Sequence, residues 1–306
     1  MTDMYDILIL GGGPIGASTA YFLTKESSLK VGLLRREPNE DPQHLATYKY
    51  AGGSVRWFWD EAEKAAATKE TADFLKQLIS EGVDLSELQN NYLFLNRGAH
   101  VPSLNISSVK LVDHLIEVAQ SKGLEVNDGI EIQEVEKSSD GYVVKSIGKE
   151  WRAKKVLVAL GIENNKFVKG LSIDEEKRTL FVLNIVVDEN REKFPHTVFK
   201  IGDGVAYLFV KKFVDGLKFV VGQEGIIDAN EEREEEDYFR ELLSAGLADH
   251  APFIKDAKVE KILWGIDSGN KTLSIFSEDK TLFAANSGSA VRSCAYIGRT
   301  LAETLR

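Results

Sequence analysis

Asp6-Ile7-Leu8-Ile9-Leu10-Gly11-Gly12-Gly13-Pro14-Ile15-Gly16 sets the architecture of the chain. Ile7 to Leu10 is an unbroken apolar run, as in a strand buried on both faces of a parallel sheet. Glycines follow at once, and Gly11, Gly13 and Gly16 have the spacing G-x-G-x-x-G. In that spacing the first glycine allows a tight turn, the second lets a pyrophosphate approach the backbone, and the third lets helix pack on strand. Ala17 to Thr24 reads as the helix, Pro14 and Ile15 belong to the turn before it as candidate dinucleotide contacts, and Lys30 to Leu34 reads as the second strand. The helix N-terminus would offer free N–H groups and a partial positive charge to phosphates. The unit is β-α-β, and it predicts dinucleotide binding.

Outward from this unit, Pro38 to Gly53 reads as an extended loop, and Trp59 to Ile79 and Ser107 to Lys122 as helices, the latter capped by Ser107 or Ser108. Glu131 to Glu136, Tyr142 to Ser146 and Trp151 to Leu160 read as strands. Arg178 to Ile227 has no helix signal and reads as an antiparallel meander, with turns at Asp203-Gly204 and Asp215-Gly216. A helix over Glu231 to Leu247 follows, with the acidic stretch Asn230 to Asp237 as its exposed start. Leu282 to Ala285 then reads as a strand, Asn286 to Ser289 as a turn and Ala295 to Leu305 as a closing helix. The order predicts an α/β fold: a Rossmann-like, discontinuous dinucleotide domain over residues 1–56, 101–168 and 275–306. An antiparallel β-sheet substrate or cap domain of α+β type would be inserted over residues 57–100 and 169–274.

Composition narrows the function. The net charge of −10 opposes a nucleic-acid partner, whose phosphates need a basic surface. No apolar run is long enough to span a membrane. The start of the chain lacks the basic segment of a signal peptide. Cys294 stands alone, so no internal disulfide forms, and a reducing cytoplasm is the natural location. His44, His100, His114, His196 and His250 are dispersed without ligand spacing, so no metal site is expected. A serine-hydrolase elbow is absent.

One position breaks the dinucleotide pattern. An acid should end the second strand and take the ribose hydroxyls. Here the chain reads Leu33-Leu34-Arg35-Arg36-Glu37, with Arg35 in the slot. Either Glu37 or a backbone group takes the ribose, or Arg35 or Arg36 faces the 2′-phosphate of NADP, which would make the protein an NADP-dependent reductase.

Further motifs resemble the D-amino-acid oxidase superfamily of flavoproteins, with its glycine and sarcosine oxidases. Ala46-Thr47-Tyr48-Lys49-Tyr50-Ala51-Gly52-Gly53-Ser54-Val55-Arg56 is similar to the family's A-S-x-x-x-A-G-G-x-x-R loop. Lys155 to Gly161 resembles the strand ending in A-x-G, here Ala159 and Gly161. Trp264-Gly265-Ile266 resembles a late W-x-G segment. Ser287-Gly288-Ser289-Ala290-Val291-Arg292, followed by Ile297-Gly298-Arg299, resembles the C-terminal S-G-H-G-x-K run and its helix. The resemblance implies non-covalent FAD, and oxidation of an amine or amino acid by hydride transfer from the C–H beside nitrogen to give an imine. It places Thr47 on phosphate, with Gly52, Gly53 and Ser54 in the loop around the dinucleotide. It puts Arg56 near the flavin, the Ile132 backbone by the adenine, and Gly288, Ser289, Ala290, Val291 and Arg292 along the flavin's pyrimidine edge. The partners implied are a small amine or amino acid and an electron acceptor.

The departures are specific. The chain is shorter than most members. Trp59 stands where some amine oxidases place a carboxylate-binding arginine, and Ser289 replaces a common histidine. Arg292 stands in place of a lysine. A non-catalytic flavin-binding subunit of a larger dehydrogenase is the reading these losses would favour. The candidate catalytic residues are Arg292, whose fork suits a carboxylate or a reduced flavin, Arg56, and Tyr207 on a meander strand. Trp57, Trp59 and Trp264 are candidate pocket walls or plain core. Gln223 and Glu224 read as a solvated turn beside the expected site.

Overall fold

In the computed structural model, the residues described are 4–26, 28–36, 47–49, 51–59, 61–85, 91–94, 99–173, 175–188, 194–213, 215–224, 235–268, 274–288 and 290–306. The chain opens with β1 (Tyr5–Leu10), α1 (Pro14–Glu26) and β2 (Val31–Leu34). It continues through β3 (Ser54–Arg56), α2 (Ala62–Ser80), β4 (Asn91–Phe94), β5 (Ala99–Asn105), α3 (Ser108–Ser121) and β6 (Glu125–Asn127). Then come β7 (Glu134–Ser138), β8 (Gly141–Ser146), β9 (Lys149–Val158), β10 (Glu175–Leu183), β11 (His196–Ile201), β12 (Gly204–Phe213) and β13 (Gly216–Glu224). The helix Glu235–Leu242 leads to β14 (Val259–Ser268), β15 (Ser274–Glu278), β16 (Leu282–Asn286) and the closing helix Ala290–Leu305.

Two eight-stranded sheets result. In the first, β6, β2, β1, β9 and β16 run parallel, and β15 is added antiparallel at the edge. The apolar run of β1 is continuous because both its faces are covered. Ile7 and Ile9 enter a core shared with α1, α3 and the closing helix, whereas Leu8 and Leu10 enter a second core with Tyr142, Val144 and Trp151. The second cover comes from β9 itself. Its first half pairs antiparallel with β8, and its second half pairs with β1 and β16. Across the helical layer, Gly298 lets the closing helix touch α1: a Cβ there would lie 2.6 Å from Ser18. Ser107 caps α3 by accepting from the Lys110 N–H at 3.3 Å, as one of its two expected caps.

The second sheet runs β14-β10-β13-β12-β11-β4-β5-β3. The expected meander is real for β11, β12 and β13, but β10 returns to the outer side of β13 and pairs on its far side with β14. The sequence reading also passed over β3, β4 and β5. β3 and β4 are short, β5 contains Pro102, and only the partner strands supply their pairing. One face of this sheet packs Phe181, Phe199, Leu208 and Val221 under Phe239 and Leu242 of the helix Glu235–Leu242. The helix expected from residue 231 is seen from Glu235, residues 225–234 lying outside those described. It loosens into a wide turn, Leu243–Leu247, where Gly246 adopts φ 117°. The other face carries His196, Tyr207, Phe209 and Lys211 and lies against Ala51 and Gly52 of the loop before β3.

Candidate functional site

The three motif glycines have different physical reasons. Gly11 has φ +106°, and a Cβ on it would sit 2.4 Å from the Ala159 carbonyl oxygen. A Cβ on Gly16 would sit 1.9 Å from the Gly11 carbonyl oxygen. Both are demanded by the chain's own packing. Gly13 is not: its φ is negative, and its Cβ would meet nothing nearer than the Tyr48 ring at 3.8 Å. The empty space beside Gly13, at the start of α1, is a cradle that a side chain would fill. It is where a pyrophosphate would meet the helix N-terminus, of which Pro14 and Ile15 form the first turn. Gly161, at φ +65°, also borders open space. Ala159 is tied to β1 by its N–H to the Leu10 carbonyl at 2.8 Å. Asn164, fully buried and unmarked by any motif, clamps this end. It accepts from the Leu160 N–H at 2.8 Å and donates to the Ala285 carbonyl at 3.0 Å.

The slot at the end of β2 holds Arg35, and its guanidinium is committed. The Nε donates to one oxygen of Asp128 and an Nη donates to the other at 3.1 Å. That bond raises the Arg35 pKa above its ordinary value, against the opposing effect of burial. Arg36 pairs with Glu163 at 3.3 Å and with Glu131 at 3.8 Å. Both cations thus have carboxylates on them, an arrangement that would repel a 2′-phosphate, and the NADP reading is not favoured. Glu37 lies outside the described residues. Ile132 is half-buried in the irregular stretch after β6, whose Ile130 N–H bonds the Arg35 carbonyl at 3.0 Å.

The loop of residues 47–53 is clamped from three sides. Ser108 at the start of α3 donates to the Tyr48 carbonyl, and the Ile106 N–H bonds the Gly53 carbonyl at 3.0 Å. From the second sheet, buried Lys211 donates to the Ala51 carbonyl at 3.0 Å. Gly53 needs its φ of +61°, and a Cβ there would strike the Ile106 carbonyl at 1.9 Å. Gly52 lies against the second sheet; its Cβ would be 3.1 Å from the His196 ring and 3.4 Å from Phe209. Lys211 was not singled out in the sequence, because a lysine in an alternating strand reads as solvent-facing. The Thr47 side chain and Ser289 lie outside the described residues.

Beyond this loop a cationic cluster forms. The Arg56 guanidinium lies 4.0 Å over the Trp59 ring, Lys64 Nζ lies 3.7 Å from it, and the Arg292 guanidinium lies 5.6 Å from it. Arg292 stands on the first turn of the closing helix, and its Nε donates to the Ser54 carbonyl at 3.0 Å. No carboxylate pairs with Arg292 among the described residues. Gly288, Ala290 and Val291 are half-buried at the same turn, which the Ala290 N–H to Ser287 carbonyl bond closes at 3.1 Å. Ser54 Oγ and Asn286 Nδ2 are buried there without a hydrogen-bond partner among the described residues. Such groups are costly unless something polar meets them. Together with the Gly13 cradle, they fit the polar ring and pyrophosphate of a flavin dinucleotide.

On the second sheet, the Tyr207 hydroxyl donates to Glu224 at 2.8 Å. Gln223 and Glu224, read from the sequence as a solvated turn, are instead the last residues of β13. Gln223 is buried and Glu224 half-buried, because β12 continues beside them and pairs them with Ala206 and Val205. Trp57 leaves the site and packs on the first core beside Lys76; the Trp264 side chain lies outside the described residues. Cys294 is buried under the closing helix, and burial pushes its thiol up to about 12.

His196 sits between the two groups, stacked 4.7 Å from Phe209 and edge-on to Tyr207 at 6.3 Å. Burial first, then Arg292 and Arg56, push its pKa down to about 3. Unfolded, it would titrate near 6.5, so between these values the unfolded chain binds the extra proton. Its contribution is therefore complete above about pH 6.5 and is lost as pH falls. Urea midpoints should drop from pH 7 to pH 5 by an amount worth about 2 kcal/mol from this residue. His196→Leu should flatten that slope; an unchanged slope would show that His196 is not held neutral.

The chain thus combines a largely parallel, Rossmann-like sheet carrying a glycine turn with a second, mostly antiparallel sheet whose His196 face lies against the loop of residues 51–53. Residues 6–105 match the DAO family, described as FAD dependent oxidoreductase. No curated protein sequence matches the chain. Among solved structures, L-proline dehydrogenase from P. horikoshii superposes with a TM-score of 0.78 at 15% identity, covering 99% of this chain and 93% of that one. Glycine oxidase from Geobacillus kaustophilus superposes with a TM-score of 0.73 at 17% identity, covering 99% and 95%. NikD, an unusual amino acid oxidase essential for nikkomycin biosynthesis, gives 0.71 at 16%, covering 99% and 94%. The family resemblance is thus borne out over residues 6–105, and the solved neighbours share the fold along the whole chain. Little of these neighbours lacks a counterpart here. None of the helices among the described residues is long and apolar enough to cross a membrane.

Proposed function

We propose that the chain is an FAD-dependent oxidoreductase of a small amine or amino acid, working in the crevice between its two sheets. One observation carries the reading. A cationic cluster with no carboxylate on Arg292 among the described residues and a Tyr207–Glu224 pair approach the same buried His196, beside a loop and turn that fit a flavin dinucleotide. The neighbours' names, a proline dehydrogenase and two amino-acid oxidases, support this substrate class.

When bound, FAD would supply the hydride acceptor for the C–H beside the substrate nitrogen, leaving an imine that water hydrolyses. The chain's own groups orient and neutralise. Arg292, held on the Ser54 carbonyl, keeps its Nη groups available for a carboxylate or for negative charge beside the closing helix. Arg56 is fixed over Trp59, and that contact contributes about 1 kcal/mol to its placement. Glu224, oriented by the Tyr207 hydroxyl, is the acceptor for the substrate's N–H. Neutral His196 and Phe209 exclude water between them. Cys294, buried and protonated, supports non-covalent FAD. Residues 1–56, 101–168 and 275–306 are read as the FAD domain, and 57–100 and 169–274 as the substrate domain, with β3 and β5 reaching across to the substrate-side sheet.

The test is an absorbance spectrum before and after anaerobic addition of amino acids and secondary amines. A flavin spectrum bleached by one of them supports the reading, and the speed of recovery in air then separates an oxidase from a dehydrogenase. A bound flavin that no compound bleaches, with an inert protein, favours a non-catalytic subunit. A colourless protein that takes up no FAD removes the reading.

A further inference from the structure

Arg35 occupies the position that an acid should hold, yet a carboxylate is present one strand further out. β2 and β6 are parallel, with Leu34 opposite Asn127, and the Arg35 N–H continues the ladder to the Asn127 carbonyl at 3.0 Å. Asp128 therefore stands beside Arg35 at the carboxyl ends of adjacent strands, in line with Gly11 at the end of β1. That edge is where a doubly wound sheet receives its nucleotide. Arg35 lies across the glycine turn: a Cβ on Gly12 would be 2.9 Å from its Cδ. Its fork takes one acceptor site on each Asp128 oxygen, and no other partner meets Asp128 among the described residues. A carboxylate has about four acceptor sites, so about two are left for hydroxyl donors. The pair is part-exposed, at 32% and 45%, so it contributes about 1 kcal/mol or less to folding. Stability alone gives little reason for a bidentate pair at this edge.

We propose that Asp128 is the ribose-binding carboxylate of this chain and that Arg35 is its positioning residue. The inference rests on the FAD reading above and extends it to the adenosine end. The pair would select a ribose with free hydroxyls, because a 2′-phosphate would meet the Asp128 charge while Arg35 is already satisfied.

The experiment titrates the apoprotein with FAD, following flavin fluorescence, and then displaces FAD with AMP or with adenosine 2′,5′-bisphosphate. Asp128→Asn should weaken FAD at least tenfold without moving the apoprotein melting temperature. Asp128→Glu should recover most of the affinity, and Arg35→Gln should weaken FAD less than Asp128→Asn. Wild-type protein should prefer AMP to the bisphosphate at least fivefold, and Asp128→Asn should erase that preference. If Asp128→Asn binds FAD as tightly as wild type, or the bisphosphate displaces FAD better than AMP, the ribose assignment is overturned while the FAD reading stands. Should wild-type apoprotein bind no FAD at all, the FAD reading falls and takes the assignment with it.

Discussion

Gly16→Ala is expected to abolish FAD binding and to destabilise the apoprotein by about 3 kcal/mol, whereas Gly13→Ala abolishes binding alone. The difference comes from what each new methyl would meet. At Gly16 it would lie 1.9 Å from the Gly11 carbonyl oxygen and 3.3 Å from Ile9, so α1 must separate from β1 or the turn must reopen. Ile9 is fully buried in the core shared by α1, α3 and the closing helix, and that core has no slack to absorb the shift. At Gly13 the methyl would sit in open space on an ordinary backbone, and only a ligand approaching the helix N-terminus would collide with it. Thermal melting of the two apoproteins, with FAD titrations, checks this. Equal melting temperatures for both variants would show that Gly16 is not a packing glycine. Unimpaired FAD binding by Gly13→Ala would show that the dinucleotide does not use the cradle.

The second large effect is expected at Arg292. Arg292→Met keeps a similar length and apolar stem but loses the fork. Removing a charge-assisted donor from a water-poor site typically costs about 2–4 kcal/mol of transition-state stabilisation, or roughly 10²–10³ in rate. The rate of anaerobic flavin reduction by substrate should therefore fall at least about tenfold. FAD should remain bound, because the glycine turn and the loop are held independently, by Ile106, Ser108 and Lys211. Stopped-flow reduction and reoxidation, measured separately, would locate the loss. Unchanged rates in both half-reactions would remove Arg292 from the site, and loss of FAD with unchanged rates when reloaded would make its role one of cofactor binding.

Much of the first sheet was legible in the sequence because its signals are local. The run Ile7 to Leu10 and the glycine spacing specify strand, turn and helix within a dozen residues. Ser107 caps α3 through a hydroxyl three residues from the N–H it meets. The second sheet was only partly legible. The strand propensity of residues 196–224 is readable, but the position of β10 beside β13, and the pairing of β3, β4 and β5, depend on partners far away in the chain. Glu224 shows the consequence. As a polar residue at the end of a strand it reads as turn, and only the continuation of β12 beside it brings it to Tyr207.

The β-α-β unit and the glycine turn are written in the sequence, because each depends on residues close together in the chain. Tertiary structure alone decided which charges meet. Arg35 finds Asp128 across 93 residues, Arg292 finds Ser54 across 238, and Lys211 finds Ala51 across 160. Arg35 in an acid's slot therefore read as a possible phosphate site until β6 placed a carboxylate beside it. The physical reason is range. Strand, turn and cap preferences are written in neighbouring residues, whereas an ion pair or a buried lysine is fixed only once packing has set the distances and excluded the water.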